Sequence, residues 1–109
     1  MFEKYKIVLT PFPFTDLSSS KVRPAVIISE KLLGDDVVIV FISSRTPKTK
    51  DNYFVTIKKD STNNLKSDSV IRMSKIATVD KKIILGEIGD LDTKYRKKID
   101  KKLKTLFGL

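Results

Sequence analysis

Apolar residues along the chain fall in strand-like order up to residue 88 and at helical spacing after it. Ile7–Thr10 opens as a strand, and Pro11 and Pro13 mark its end, because proline has no amide hydrogen to give to a central ladder. Phe12 and Phe14 follow in extended backbone, and Asp16–Lys21 is a loop by composition. Ala25–Ile28 (AVII) and Val37–Ile42 (VVIVFI) are continuous apolar runs rich in β-branched residues, the pattern of strands covered on both faces. Gly34-Asp35-Asp36 turns the chain between them. Tyr53–Ile57 alternates, with Tyr53, Val55 and Ile57 on one face and Phe54 and Thr56 on the other. Ser69–Val79 is mostly strand, although Arg72 and Lys75 interrupt its apolar pattern. Asp80-Lys81-Lys82 turns into a last short strand, Ile83–Ile88. Ser43–Asn52 and Lys59–Asp68 are polar connections.

The C-terminal stretch changes period. Tyr95, Ile99, Leu103, Leu106 and Phe107 recur at helical spacing, and the opposite face is almost all Lys and Arg. Asp92 is placed to cap this helix and Gly108 to end it. The whole reads as a single domain over residues 1–109, mainly β with a C-terminal helix. Connections are short and nothing suggests a parallel crossover. The expected architecture is a small, strongly twisted antiparallel barrel or half-open sheet with the helix covering one end.

Composition narrows the function. The 109 residues carry 22 Lys and Arg against 13 Asp and Glu, a formal net charge of +9. Such a balance suits a polyanionic partner, nucleic acid before an anionic membrane; the plain alternative is charge for solubility alone. With no cysteine and no histidine, a disulfide scaffold, a zinc site, and Cys-His or Ser-His-Asp catalysis are all excluded. No cofactor is expected. No apolar stretch approaches the roughly 20 residues of a membrane span, and the N-terminus lacks a signal-peptide layout. The expectation is a cytoplasmic protein with no membrane attachment.

Candidate chemistry concentrates at two loops. Arg23 leaves the Asp16–Lys21 loop at the start of a buried strand, and its guanidinium suits bidentate binding of phosphate. The competing reading is a simple pair with Asp16. Arg45, Lys48 and Lys50, beside Ser43, are the next candidates for phosphate contact, against plain surface charge. Phe12 reads as core and Phe14 as the aromatic nearer a ligand. Asp90-x-Asp92 reads as helix capping before half a magnesium site, since no third carboxylate is near in sequence. The helix lysines read first as a solvated face.

IVLTPFPFTDLSSSKVRPAVIIS resembles the N-terminal signature of the MazF/PemK family of prokaryotic toxins: a strand, a PFPFTD-like segment, a polar loop, Arg-Pro and an apolar strand. FISS at 41–44, SDSVIRMSKIATVD at 67–80 and LGEIGDLD before the helix extend the resemblance along nearly the whole chain. It implies an SH3-like barrel, a homodimer, and a metal-independent endoribonuclease that cuts single-stranded RNA and is blocked by a cognate antitoxin. It also implies site residues. Arg23 matches the catalytic arginine, and Ser43 the catalytic Thr or Ser. Phe14, Thr15 and Asp16 fall in the loop that shapes the RNA groove, with Lys21 at its end. Ser44 opens the second loop, ahead of Arg45, Lys48 and Lys50. Lys75 matches a polar position that lies against RNA in some members. Three positions depart from the pattern: Tyr5-Lys6 stands for the usual Gly-Asp, Ser43 for the more familiar Thr, and Ala77 where some members carry arginine.

The implied chemistry is sequence-selective cleavage by the substrate's own 2′-hydroxyl, leaving a 2′,3′-cyclic phosphate and a 5′-hydroxyl. Arg23 suits stabilisation of the phosphorane as a planar set of donors, and Ser43 can add a hydrogen bond to the same oxygens. Arginine side chains hold their proton far above neutral pH and are poor proton acceptors, so the base is not assigned. Two alternatives stand beside this reading: a module of the same fold that holds RNA without cutting it, and a protein inhibitor resembling the gyrase-poisoning toxins.

Overall fold

The computed structural model describes residues 2–11, 21–30, 34–45 and 52–109. Strands β1 (Lys6–Pro11), β2 (Val22–Ile27), β3 (Asp36–Ser43), β4 (Phe54–Ile57), β5 (Ser69–Asp80) and β6 (Gly86–Asp90) precede one helix, α1 (Thr93–Phe107). The strands form one sheet in the order β4-β5-β3-β2-β1-β6. Every neighbouring pair is antiparallel, and the sheet curls into a half-barrel. Expectation and structure therefore agree on class and curvature.

The continuous apolar runs are explained by burial on both sides. Ile7, Val26, Val40 and Ile42 lie in a cluster with Val55, Ile57 and Ile71, closed over by Leu91, Tyr95 and Ile99 of the helical segment. Their sequence neighbours Val8, Ala25, Ile27, Ile39 and Phe41 form a second cluster, against Val79 and Ile84. Each fully buried Ile or Phe contributes on the order of 1.5–3 kcal/mol, so both clusters matter to stability. Pro24 falls just past the last β2–β3 pair, Ala25↔Phe41, where a missing amide hydrogen interrupts nothing in that ladder.

Two expected strands differ. β5 bends: its pairing with β3 jumps from Val40↔Ile76 to Phe41↔Arg72, leaving residues 73–75 unmatched. This bulge is why Arg72 and Lys75 break the apolar pattern. The Ile83–Ile88 run is not one strand. Asp80 accepts a hydrogen bond from the Lys82 amide (2.8 Å) and starts a 3-10 turn at Lys81–Ile83, which turns Ile84 inward, so β6 begins only at Gly86.

The half-barrel's two end strands, β4 and β6, are joined by the 58–65 connection. The Asp90 amide donates to the Thr62 carbonyl (2.9 Å), and the Asn64 side-chain amide to the Ile88 carbonyl (2.6 Å). Gly89 makes this approach possible, since a Cβ there would lie 2.5 Å from the Thr62 and Asn63 carbonyl oxygens. Asn63, buried in this connection, accepts from the Asp60 and Leu65 amides and donates to the Lys58 carbonyl.

Helix α1 has the expected caps. Asp92 accepts from the Lys94 amide (3.1 Å), and Gly108 ends the helix at φ 68°. Tyr95 and Ile99 are buried and Leu103 packs beside them, whereas Phe107 is 60% exposed, so the apolar stripe is shorter than its periodicity suggests. A tyrosine ties the helix to the sheet. Tyr5 has φ 75°, its amide donates to the Ile27 carbonyl and its carbonyl accepts from the Leu91 amide. Its hydroxyl donates to Asp100 Oδ2 (2.7 Å), and the Arg96 guanidinium stacks 4.8 Å from its ring.

Candidate active site

Strand register assembles the candidate residues. Thr10 pairs directly with Arg23 across β1 and β2. The β2–β3 pairing runs Ile27↔Ile39, Val26↔Val40, Ala25↔Phe41 and ends there, with Arg23 two residues beyond the last pair on β2 and Ser43 two residues beyond it on β3. Residues directly opposite share a face, and alternate residues along a strand do too. Thr10, Arg23 and Ser43 therefore form a row on the face of Val8, Ala25 and Phe41, away from the face that α1 covers.

The members of this row differ in environment. Arg23 is half-buried, and among the described residues it forms no ion pair. The alternative partner Asp16 lies outside the described residues. Ser43 is half-buried at the end of β3, where its hydroxyl oxygen accepts from the Arg45 amide (3.1 Å). That bond fixes the turn out of the strand and leaves the hydroxyl proton available to donate outward. Thr10 has no exposed surface, and its hydroxyl has no hydrogen-bond partner among the described residues.

A cleft of about 400 Å³ opens beside this row. Leu9, Val22, Pro24 and Ile42 give it an apolar wall, with Leu65 and Ile88, and Ser44, Ser67 and Ser69 stand among its polar lining. By alternation the wall residues belong to the other face of the strands, and Arg23 borders the cleft as well. The site thus combines a cation and a hydroxyl with a mixed apolar and polar recess.

The other expected site residues divide three ways. Lys21, Ser44 and Arg45 are exposed at the same strand ends, immediately before β2 and around the end of β3. Lys75 sits in the β5 bulge, opposite the Val40–Phe41 step and two residues along β3 from Ser43. Phe14, Thr15, Asp16, Lys48 and Lys50 lie outside the described residues, as does Phe12. Asp90 and Asp92 have structural work, the first in an ion pair with Lys6 (2.9 Å) and the second as helix cap. Among the described residues no three Asp or Glu gather as a metal cluster.

Sequence reasoning missed Thr10 and the cleft's far wall. The 59–68 connection reads as plain polar loop, yet it supplies Leu65, Lys66 and Ser67. The available signal was an isolated leucine inside an Asp/Asn-rich segment, where side-chain hydrogen bonds to backbone build a fixed turn. Asp60 accepts here from the Thr62 and Asn63 amides.

These features define a class: small curled antiparallel half-barrels with a C-terminal helix and an arginine–hydroxyl row at one sheet end. The family model described as PemK-like, MazF-like toxin of type II toxin-antitoxin system matches residues 3–107. The chain belongs to that family. Solved structures agree on the fold. An endoribonuclease in complex with its cognate antitoxin, from a mycobacterial species, aligns at TM-score 0.78 and 17% identity, covering 98% of this chain and 95% of its own. MazF from Deinococcus radiodurans aligns at 0.77 and 17%, covering 98% and 96%. The Mycobacterium tuberculosis toxin MazF-mt6 aligns at 0.74 and 18%, covering 95% and 97%. No curated protein matches the chain. Among the described residues, no helix is long and apolar enough to cross a membrane.

Proposed function

We propose that the protein is a toxin acting as a sequence-selective, metal-independent endoribonuclease on single-stranded RNA, with Arg23 and Ser43 as its catalytic pair. The observation that supports this reading is that Arg23 and Ser43 lie on one face of the sheet, each two residues beyond the Ala25↔Phe41 pair, with the serine oxygen accepting from the Arg45 amide. The scissile phosphate sits over the row. The 2′-hydroxyl gives up its proton as its oxygen attacks phosphorus, the P–O5′ bond breaks, and the leaving 5′-oxygen takes up a proton, so that the products are a 2′,3′-cyclic phosphate and a 5′-hydroxyl. Arg23 faces the equatorial oxygens as charge builds on them, and Ser43 adds a neutral hydrogen bond; such preorganised donors contribute several kcal/mol to a transition state. The recess beside Arg23 receives a neighbouring base, since unpaired RNA is read by splaying bases into such pockets. Lys21, Arg45 and Lys75 extend the positive field along the strand.

Antitoxin control and a homodimeric state complete the reading, together with action in the cytoplasm. An antitoxin partner is supported by structural neighbours that are complexes with antitoxins.

The test incubates the purified protein with a long single-stranded RNA in EDTA, beside Arg23→Ala and a substrate with 2′-deoxyribose at the mapped site. Discrete cuts ending in cyclic phosphate, lost in both controls, are expected. A fully active Arg23→Ala variant overturns the assigned role. RNA that binds but stays intact makes the protein a binding module, and RNA that neither binds nor is cut points to a protein target.

A further inference from the structure

Two members of the arginine–hydroxyl row face each other, and each precedes a proline. Thr10 is followed by Pro11, and Arg23 by Pro24. Proline disfavours the helical region for the residue before it, so both backbones are held in extended geometry. β1 pairs Thr10 directly with Arg23, and Pro11↔Val22 closes the ladder one step later. β2 pairs with β3 only as far as Ala25↔Phe41, so at Arg23 the strand is held from the β1 side alone. Opposite residues carry their Cβ atoms about 4.5–5.5 Å apart, and threonine, branched at Cβ, has little freedom at χ1. Thr10 is thus the stiff cross-strand neighbour of a long, flexible side chain.

A hydroxyl here is a burden to the fold. Thr10 has no exposed surface, and its Oγ1 has no partner among the described residues. A buried polar group without a hydrogen bond is destabilising, and valine would fill the space without that penalty. Val8 and Ala25, beside Thr10 on the same face, are apolar and fully buried. Lys21, diagonal to it, is exposed and lies before β2 begins. Among the described residues, the polar side chain that faces Thr10 within the strands is therefore that of Arg23, which forms no ion pair of its own there.

We propose that Thr10 is a positioning residue for Arg23: its buried hydroxyl oxygen accepts a hydrogen bond from the Arg23 Nε–H when a phosphate engages the outer end of the guanidinium. The catalytic consequence rests on the assignment of Arg23 to the scissile phosphate. A guanidinium carries its N–H donors in one rigid plane, so Nε–H can be given to Thr10 while the terminal nitrogens meet phosphate oxygens. Fixing the Nε–H bond fixes that plane, and with it the aim of the other donors at the equatorial oxygens. Hydrogen bonds of this kind close as substrate binds, and Thr10 Oγ1 is the acceptor left open for one. A valine would pack in the same place but leave the guanidinium free to turn about its last side-chain bonds.

The test follows the Arg23 Nε–H signal by nuclear magnetic resonance in the full chain with isotope-labelled arginine, the signal being assigned by its loss in Arg23→Lys. Wild type, Thr10→Val and Thr10→Ser are compared, alone and with two probes, an all-deoxy single-stranded oligonucleotide and inorganic phosphate. Exchange of this hydrogen with solvent is expected to slow at least about tenfold with a probe in wild type and Thr10→Ser, and to stay fast in Thr10→Val. RNA cleavage is read in the same three proteins. Thr10→Val should cut at least about tenfold more slowly at saturating RNA with KM unchanged, and Thr10→Ser within about threefold of wild type. Thr10→Val is expected to melt no lower than wild type, so slower cutting does not report unfolding. Fast exchange in wild type with both probes overturns the proposal, as does equal protection in Thr10→Val. Cutting slowed as much in Thr10→Ser as in Thr10→Val also overturns it, since the serine keeps the hydroxyl. The exchange readout does not depend on cleavage. Protection lost only in Thr10→Val, in a protein that cuts no RNA, upholds the contact and refutes the nuclease reading. Full cutting by Thr10→Val upholds the nuclease reading and overturns the positioning role.

Discussion

Replacing Tyr5 by phenylalanine isolates one hydroxyl. The aromatic ring, its stacking with Arg96 and the φ of 75° remain, and only the 2.7 Å hydrogen bond to Asp100 is lost. Asp100 Oδ1 is already buried without a partner among the described residues, so the variant leaves both carboxylate oxygens without this donor. A hydrogen bond to a charged group is worth about 1.5–3 kcal/mol; partial exposure of Tyr5 places the loss near 2 kcal/mol. At 4–8 °C per kcal/mol for a domain of about this size, the melting temperature should fall by roughly 8–16 °C.

The pH dependence supplies a second readout. Burial first, then the Asp100 hydrogen bond, pushes the Tyr5 phenol from 10.0 to about 12. The folded protein holds this proton more tightly than the unfolded chain. Below pH 10 both states keep it and the stabilisation is complete. As pH rises from 10 towards 12 the unfolded chain ionises first, and wild type loses the contribution; the phenylalanine variant has nothing there to lose. Urea melts followed by circular dichroism from pH 7 to 11 should show a stability gap that is constant to about pH 9 and then narrows. A gap under about 0.5 kcal/mol at pH 7, or one that stays constant up to pH 11, refutes the assignment.

Other perturbations test the seam and the site. Gly89→Ala places a methyl 2.5 Å from two backbone oxygens and should destabilise by about 3 kcal/mol, visible as a lower urea midpoint. Asn63→Ala removes the acceptor for the Asp60 and Leu65 amides and the donor to the Lys58 carbonyl; about 2–4 kcal/mol should be lost, with faster hydrogen exchange at Leu65 and Asp90. Thr10→Val replaces a buried hydroxyl, without a partner among the described residues, by a methyl of similar size and should raise stability by about 1 kcal/mol in the same melts. Tyr5→Gly should be more stable than Tyr5→Ala by about 1 kcal/mol, because glycine alone adopts φ 75° without strain.

What was legible in the chain was local or periodic. Doubly buried strands appear as unbroken apolar runs at AVII and VVIVFI, and α1 appears through its stripe and both caps. β6 was misplaced because Ile83-Ile84-Leu85 satisfies a strand's composition, while the Asp80 cap that bends it into a 3-10 turn is a single hydrogen bond. That Arg23 and Ser43 share a face at one end of the sheet follows from the pairing of β2 with β3, which composition and periodicity do not encode; only the family resemblance pairs the two residues. The 59–68 connection reads only as a polar connection because its order comes from side chains bonding to backbone, not from apolar periodicity.

Tyr5 shows how such a departure becomes intelligible. Where the family resemblance leads one to expect glycine, the backbone at Tyr5 takes the left-handed conformation, φ 75°, that glycine adopts freely. A tyrosine there costs about 1–2 kcal/mol. Its hydroxyl reaches Asp100 and its ring receives Arg96, both on α1, and these contacts offset the strain. The substitution at one end of the chain and the lone acidic residue of the basic helix at the other are therefore parts of one arrangement. It follows that Asp100→Asn should cost the wild type more stability than it costs Tyr5→Phe. A double-mutant cycle on residues 95 apart in sequence would then give a coupling of at least about 1 kcal/mol.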